Sequence, residues 1–388
     1  MSESAPPLLA LLQRRIRLEG PLTVADFMME ALCHPRHGYY TTSDPFGVAG
    51  DFITAPEISQ MFGELIGLWC AQCWDQLGRP NPVTLAELGP GRGTLMADAL
   101  RAVSGVLPAF TSACRIVLVE TSPVLRRRQA EALAAYAPTW QDRLAEVPDG
   151  PLLLVANEFF DALPIRQFQL TPEGWAERLV TLAPDTEELC FRLDRPGQPS
   201  TLLIPPRLRA AGPALAIGTV IDLAPTAQSI ALELGRRLAR DGGAALVVDY
   251  GHTAPVPTDT LQALHRHVPV PVLARPGEAD ITSHVDFGAL AATAADGGAT
   301  AHGPVTQGDF LRALGLETRA AALRRVASPQ QAEDLDAAVH RLTDDDAMGR
   351  LFKVLALTGL NQSIPAGFEN AKLWRPPAAP PLTSRSRP

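Results

Sequence analysis

Short apolar runs recur along the chain and predict the strands of a parallel β-sheet. Four of these runs cover residues 83–88, 115–120, 151–156 and 244–251. Apolar residues at the three- and four-residue spacing of helices lie between the runs, as in 94–103 and 227–240. Strands that alternate with such helices are typical of the α/β class, in which helices cover both faces of the sheet. We therefore predict a doubly wound α/β fold.

A glycine-rich turn directly follows the first predicted strand. The stretch T-L-A-E-L-G-P-G-R-G-T-L places Gly89, Gly91 and Gly93 after the acidic Glu87. Glycine lets the backbone bend sharply and approach a ligand closely. A dinucleotide-binding G-x-G-x-x-G turn would require glycine where Thr94 stands, so this spacing favours a nucleoside ligand without a pyrophosphate.

Polar residues close the next two predicted strands. Glu120 ends the run 115–120, and Asn157, Glu158 and Asp161 follow the run 151–156. The carboxyl ends of parallel strands meet at one edge of a sheet, where ligands bind, and an acid after the second strand can accept ribose hydroxyls. We expect the three later residues to hold a substrate against the cofactor, and a role in capping a helix is the alternative.

The region before the sheet predicts a capped helix. Thr54 and Glu57 have the spacing of a capping box, and Pro56 is tolerated in a first helical turn. The apolar stripe behind them consists of Ile58, Met61, Phe62, Leu65 and Trp69. Because a helix N-terminus offers unpaired N–H groups, the capped end with Asp51 is a candidate ligand border, and a purely structural helix is the alternative.

The pattern also predicts two insertions in the sheet. Short alternating stretches separated by proline and glycine indicate antiparallel strands, and a proline- and histidine-rich stretch indicates a loop over the site. The predicted parts are a site-contributing N-terminal helical region 1–80, a core of 81–165 and 226–360, the antiparallel insertion 166–225, the loop or lid 251–284 and a disordered tail 375–388.

Composition narrows the class of protein. The 388 residues are 46% hydrophobic and 20% charged with a net charge of −8, which fits a folded protein and does not favour nucleic acid as a partner. The start lacks the pattern of a secretory signal, and the chain lacks an apolar run long enough to cross a membrane. Together with five scattered cysteines, this predicts a reducing, cytoplasmic location in a bacterium.

Two residue groups suggest metal or redox chemistry only weakly. Cys70 and Cys73 form a C-x-x-C without a second pair, on a predicted helix, so we interpret them as core residues. His265, His267 and His284 have no acidic or cysteine partner at ligand spacing. We predict no metal site.

The ordered combination of these features resembles the class I S-adenosylmethionine methyltransferases, which have a Rossmann-like sheet. A closer similarity, to the MidA family, covers most of the chain and includes the mitochondrial complex I assembly methyltransferase. It rests on G-D-F-I-T-A-P-E-I-S-Q-M-F-G-E-L-I-G-L-W, E-L-G-P-G-R-G-T-L, A-N-E-F-F-D-A-L-P, V-V-D-Y-G, A-D-I-T-S-H-V-D-F and M-G-R-L-F-K-V-L-A-L.

This resemblance implies a protein arginine methyltransferase that uses S-adenosylmethionine and acts on a protein, with a subunit of respiratory complex I (NADH:quinone oxidoreductase) as the candidate acceptor. The glycine turn would line the methionine end of the cofactor, and Glu120 its ribose. The predicted cofactor-binding set is Asp51, Pro56, Glu87, Gly89, Gly91, Gly93, Glu120 and Asn157. The stretch V-P-V-P-V-L-A-R-P-G-E is richer in proline than the resemblance leads us to expect, which leaves the target protein open.

Methyl transfer to arginine needs carboxylates, because the guanidinium is protonated in water and must be oriented and relieved of a proton. We assign Glu158 to orienting it, Asp161 to assisting, and Glu57 as a candidate second carboxylate. Two alternatives stay open at this point: a methyltransferase acting on a small molecule, and a non-catalytic assembly factor that binds the cofactor.

Overall fold

The computed structural model describes residues 6–42, 54–253, 257–360 and 362–371. The α-helices are α1 (Pro7–Glu19), α2 (Val24–Cys33), α3 (Tyr39–Thr42), α4 (Ala55–Ile58), α5 (Gln60–Gln76), α6 (Thr94–Val106), α7 (Pro108–Ala113), α8 (Pro123–Ala132), α9 (Pro206–Ala211), α10 (Pro225–Asp241), α11 (Phe287–Asp296), α12 (Gln307–Ala313), α13 (Leu316–Arg324), α14 (Pro329–Thr343) and α15 (Met348–Leu351). The strands are β1 (Leu22–Thr23), β2 (Val83–Leu88), β3 (Cys114–Val119), β4 (Thr139–Gln141), β5 (Leu152–Asn157), β6 (Arg166–Thr171), β7 (Gly174–Leu182), β8 (Leu189–Leu193), β9 (Val220–Leu223), β10 (Gly243–His252), β11 (Gln262–His265), β12 (Val268–Val270), β13 (Asp280–Thr282), β14 (Val285–Asp286), β15 (Thr300–Thr306) and β16 (Phe352–Thr358).

The central sheet has the strand order β15-β16-β10-β5-β2-β3-β4, with β14 added to β10. The strands from β4 to β10 run parallel, and β16 runs antiparallel between β10 and β15. This order confirms the predicted doubly wound α/β fold. The short edge strand β4 was not predicted, because its three residues form no apolar run: Thr139 is exposed and the other two are half-buried.

The residues of each central strand alternate between two helical layers. Leu153 and Val155 of β5 pack in the core under α5 and α6, whereas Leu152 and Leu154 pack in the core under α10 and α11. Strands covered on both faces are apolar at successive positions. This two-sided burial is the reason that continuous apolar runs predicted the strands correctly.

The insertion 166–225 forms antiparallel strands, as predicted. Strands β6, β7, β8 and β9 belong to a five-stranded sheet whose fifth member is β1 of the N-terminal region. Leu22 of β1 pairs with Val180 of β7, so the region 1–80 is not purely helical. A strand of two residues is too short to show an alternation of apolar and polar positions in the sequence.

The segment 251–284 contains more than the predicted loop. Strands β11, β12 and β13 form a three-stranded antiparallel sheet, and Ala263 and Ile281 share a core with Leu8 and Phe27 of the N-terminal helices. The prediction of a plain loop was wrong because the apolar partners of this short sheet lie more than 200 residues away in the chain. The predicted tail 375–388 lies outside the described residues.

The predicted capped helix is divided at Ser59. Its extended backbone separates α4 from α5, and its hydroxyl accepts the N–H of Met61. The predicted capping box is wrong: Thr54 makes no side-chain cap hydrogen bond, and the Glu57 carboxylate instead accepts the Thr94 hydroxyl at 2.6 Å. The members of the predicted stripe that lie in α5 are buried, and so are the two cysteines interpreted as core residues, Cys70 and Cys73.

Candidate active site

The glycine turn after β2 has the backbone that its residues require. Gly89, Gly91 and Gly93 all have positive φ, at 60°, 54° and 84°, a region that side chains disfavour. A Cβ atom on Gly89 would lie 2.9 Å from Cδ2 of Phe159. The turn therefore needs glycine both for its conformation and for the close approach of the segment after β5.

A cavity of about 460 Å³ opens at the carboxyl ends of β2, β3 and β5. Its floor includes Gly89, Gly91 and Glu120, which the sequence placed at the cofactor site. Other lining residues come from other elements: Tyr39 and Tyr40 of α3, Thr226, Ile230 and Glu233 of α10, and Asp280 of β13. The position agrees with the rule that ligands of open α/β sheets bind at the carboxyl edge.

A smaller recess of about 40 Å³ lies beside the glycine turn, and Glu87 and Asn157 line it. Glu87 is only 2% exposed, and burial raises its pKa to about 8. Among the described residues, neither Glu87 Oε2 nor Asn157 Oδ1 has a hydrogen-bond partner. Buried polar atoms are normally paired, so these two atoms and the glycine cradle fit a polar ligand group in this recess.

Glu120 is linked to the glycine turn through Gln129. The Glu120 carboxylate accepts the Ser122 N–H at 2.7 Å and the Gln129 amide at 3.3 Å, and the same amide donates to the Gly91 carbonyl at 2.7 Å. Trp140 donates to Gln129 in turn. Burial raises the pKa of Glu120, and its hydrogen bonds oppose that rise. Gln129 was not predicted from the sequence. The one indication of its role is that it is a polar residue on the buried side of α8.

Of the three consecutive arginines of α8, Arg127 and Arg128 are exposed and Arg126 is half-buried. Arg126 donates from its guanidinium to the backbone carbonyl of Glu120 and pairs with Asp142 at 2.6 Å. Arg126 therefore helps to hold the segment that follows β3.

Glu158 has an unusual backbone conformation and a carboxyl group with a raised pKa. Its φ is 49°, and its N–H donates to the Val248 carbonyl at 2.9 Å. Oε1 accepts the Ala55 N–H and the Asn157 amide, each at 3.2 Å. Burial, followed by the charge of Asp161, raises the pKa of Glu158 to about 7.

Asp161 and Asp249 form a buried pair of carboxylates next to Glu158. Asp161 is 6% exposed, and its Oδ1 has no hydrogen-bond partner among the described residues. Burial raises its pKa to about 6, against the effect of the Tyr250 hydroxyl. Asp249 is fully buried, and its Oδ2 accepts the N–H groups of Phe160 at 3.0 Å and Asp161 at 3.2 Å. Burial and then the charges of Asp161 and Glu158 raise the pKa of Asp249 well above its usual range.

Asp249 was not among the residues predicted for the site. Its signal was the same as that of Glu120, an acid at the end of an apolar strand in V-V-D-Y-G. Asp280 and Tyr40 were also missed. The Tyr40 hydroxyl donates to Asp280 Oδ1 at 2.9 Å across 240 positions of the sequence. Asp280 lies in the block A-D-I-T-S-H-V-D-F, which indicated the family but not a role for this residue.

The remaining predicted site residues lie on the recess side or outside the described residues. Pro56 and Glu57 line the recess, and the Glu57 carboxylate lies 3.6 Å from the Arg92 guanidinium. Asp51 falls outside the described residues.

The three histidines considered as metal ligands are not brought together. Within the described ranges, the group of side chains close enough to hold a metal ion is His340, Asp344 and Asp346. None of these three lines the cavity.

None of the described helices is both long enough and apolar enough to cross a membrane.

A doubly wound sheet with one antiparallel strand, a glycine turn after β2 and an acid after β3 together define a class I methyltransferase. Residues 65–305 match the family described as "Putative S-adenosyl-L-methionine-dependent methyltransferase". The chain belongs to this family, so the predicted relationship is confirmed, and its cofactor is S-adenosylmethionine.

Relatives from animals are similar over most of their length. Protein arginine methyltransferase NDUFAF7, mitochondrial, from Mus musculus is 38% identical over 381 residues, which is 92% of this chain and 85% of the mouse protein. The Homo sapiens protein of the same name is 37% identical over 90% of this chain and 83% of its own length.

A solved structure has the same architecture. The crystal structure of a "likely methyl transferase" from Burkholderia thailandensis, bound to S-adenosyl-homocysteine, superposes with a TM-score of 0.80 at 28% identity. The match covers 94% of this chain and 95% of the Burkholderia thailandensis chain.

Proposed function

We propose that this enzyme transfers the methyl group of S-adenosylmethionine to a guanidine nitrogen of an arginine in a protein. The observation that carries the proposal is the acidic lining of the cavity, to which Glu158, Asp161 and Asp280 all contribute. A guanidinium presents five N–H donors in one plane, which suits binding by several carboxylates. The printed names of the animal relatives, protein arginine methyltransferases, support the same reaction.

The cofactor would be held by residues on the floor of the cavity and in the recess. Gly89 and Gly91 leave room for its methionine end, the unpartnered oxygens of Glu87 and Asn157 fit polar groups of that end, and Glu120 fits the ribose hydroxyls. When bound, S-adenosylmethionine supplies an electrophilic methyl group on a sulfonium.

We propose that Glu158 removes the proton, a role that differs from the orienting role assigned to it from the sequence. An arginine side chain is protonated in water, and the attacking nitrogen must lose a proton during the transfer. A carboxyl group with a pKa of about 7 is partly ionised near neutral pH and is therefore suited to accept that proton. Asp161, with its unpartnered Oδ1, would orient the guanidinium.

Glu57 stays a candidate second carboxylate. Its carboxylate already accepts the Thr94 hydroxyl and lies near Arg92, on the side of the glycine turn. These contacts favour a role in shaping the cofactor recess.

Labelled methyl transfer into a cell lysate tests the proposal. Methylarginine recovered by mass spectrometry from hydrolysed protein is the expected result. A labelled metabolite in place of labelled protein would support the small-molecule alternative, and cofactor binding without any transfer would support a non-catalytic assembly factor. We propose a respiratory complex I subunit as the acceptor and a cytoplasmic location in a bacterium, and the identity of the labelled protein tests the first of these.

A further inference from the structure

Part of the cavity wall comes from outside the methyltransferase core. Tyr40 lies in α3 of the N-terminal region and Asp280 in β13 of the three-stranded sheet, and both line the cavity. Asp280 is 7% exposed and accepts the Tyr40 hydroxyl at 2.9 Å. Two peripheral elements therefore place a carboxylate in the cavity together.

The charges of Asp280 and of acids in the methyltransferase core act on the same tyrosine side chains. Burial raises the pKa of Tyr40 well above its usual range, and the charges of Asp280 and then Asp161 add to the effect. Burial also raises the pKa of Tyr250, to which Asp161, Asp249 and Asp280 contribute. Asp280 of β13 and Asp161 of the turn after β5 thus act on both phenols, and Asp249 of β10 acts on Tyr250.

The cavity has one basic side chain among its described lining residues. Of those residues, the one with a basic side chain is Arg143, which follows Asp142 near Glu120. Arg341 lowers the pKa of Glu158 but does not line the cavity. A buried carboxylate oxygen that lacks a hydrogen-bond donor is costly, and Asp161 Oδ1 has no such donor among the described residues.

We propose that Asp280, held in place by Tyr40, is an acceptor-binding residue that contacts the guanidinium of the acceptor arginine together with Asp161. This inference rests on the proposed arginine methylation and deepens it. Glu158 and Asp161 belong to the core turn, whereas Asp280 and Tyr40 belong to added elements. Acceptor recognition therefore depends on elements that are separate from those that hold the cofactor.

The test compares Asp280→Asn with the wild-type full-length protein. Asparagine keeps the shape of the side chain but removes its charge, and its amide would point a donor at a cationic ligand. We expect the rate of label incorporation into protein methylarginine, at limiting lysate protein, to fall by roughly 10-fold or more. The affinity for S-adenosyl-homocysteine, measured by calorimetry, should stay within about twofold.

Tyr40→Phe is the second variant, because it removes only the hydroxyl that orients Asp280. It should raise the lysate protein concentration needed for half-maximal rate and change the maximal rate much less. Asp280→Glu, which keeps the charge, should recover part of the lost activity. Asp185→Asn, on the exposed turn between β7 and β8, is the matched control and should behave as wild type.

The outcomes separate this inference from the function on which it rests. If the wild-type protein forms no protein methylarginine, the proposed function fails and this inference fails with it. If the wild type forms methylarginine and Asp280→Asn does so equally well, only this inference is overturned. If Asp280→Asn does not fold, Tyr40→Phe decides, and an unchanged half-saturating concentration of lysate protein overturns the inference.

Discussion

Backbone strain, burial and charge coincide at Glu158. A positive φ is uncommon for a residue other than glycine and persists only where the surroundings hold it. Here the Val248 carbonyl accepts the N–H of Glu158, and the Asp249 carboxylate accepts the N–H groups of Phe160 and Asp161. The neighbouring strand β10 therefore sets the conformation in which Glu158 faces the cavity.

The activity of the wild-type enzyme should rise as the pH increases through about 7, because burial raises the pKa of Glu158 to about 7 and only the ionised carboxylate can accept a proton. The charges that shift this pKa are those of Asp161, which raises it, and Arg341, which lowers it, and Glu158 in turn raises the pKa of Asp249. Glu158→Gln should lower turnover by roughly 100-fold or more and leave the affinity for S-adenosyl-homocysteine nearly unchanged. The pH dependence of turnover measures both effects, and unchanged turnover in the variant would refute the assignment.

The glycine turn after β2 tolerates fewer residue types than the other elements of the site. The positive φ of Gly89 and its approach to Phe159 join β2 to the segment after β5. Any side chain at this position must displace the Phe159 ring, which lines the cavity.

Gly89→Ala should therefore weaken the binding of S-adenosyl-homocysteine by about 10-fold or more and lower the melting temperature. Gly78→Ala is the matched control, because Gly78 also has a positive φ, at 81°, but has open space where a Cβ atom would lie. In the control, the melting temperature should fall only because alanine disfavours a positive φ, and the affinity for S-adenosyl-homocysteine should stay at the wild-type value. Equal loss of affinity in both variants, measured by calorimetry, would contradict the role given to the contact with Phe159.

On the scale of the whole molecule, the site lowers the stability of the protein without its ligands. Burial raises the pKa values of Glu87, Glu158, Asp161 and Asp249. A carboxyl group with a raised pKa keeps its proton in the folded state at a pH where the unfolded chain has lost it. Each such group therefore lowers the free energy of unfolding as the pH rises from its pKa in the unfolded chain, near 4, through its pKa in the folded protein.

Replacing Glu87 isolates one of these contributions. Burial raises the pKa of Glu87 in the folded protein to about 8. Its contribution to the free energy of unfolding should therefore decrease by at most about 1.4 kcal/mol per pH unit between about pH 5 and 8. The melting temperature of ligand-free Glu87→Gln, relative to wild type, should therefore increase over this range. His284 and His302, whose pKa values burial lowers, are common to both proteins and cancel in the difference. A difference that does not change with pH would contradict the buried, neutral state of Glu87.

The sequence alone determined the parallel strands, the glycine turn and the acids that follow β3 and β5. Each of these depends on local chemistry: continuous apolar runs are buried on both faces, positive φ requires glycine, and parallel strands bring their carboxyl ends to one edge. Similarity to a known family also indicated the cofactor without any geometry.

Only the tertiary structure decided which further residues join the site. Gln129 joins it through the Gly91 carbonyl, 38 positions away, and Tyr40 reaches Asp280 across 240 positions. The sheet formed by β11, β12 and β13 is stabilised by apolar residues of α1 and α2, so no local pattern could predict it. Local chemistry could place the cavity residues that follow β2, β3 and β5, whereas those from α3 and β13 depend on long-range packing that spacing along the chain does not record.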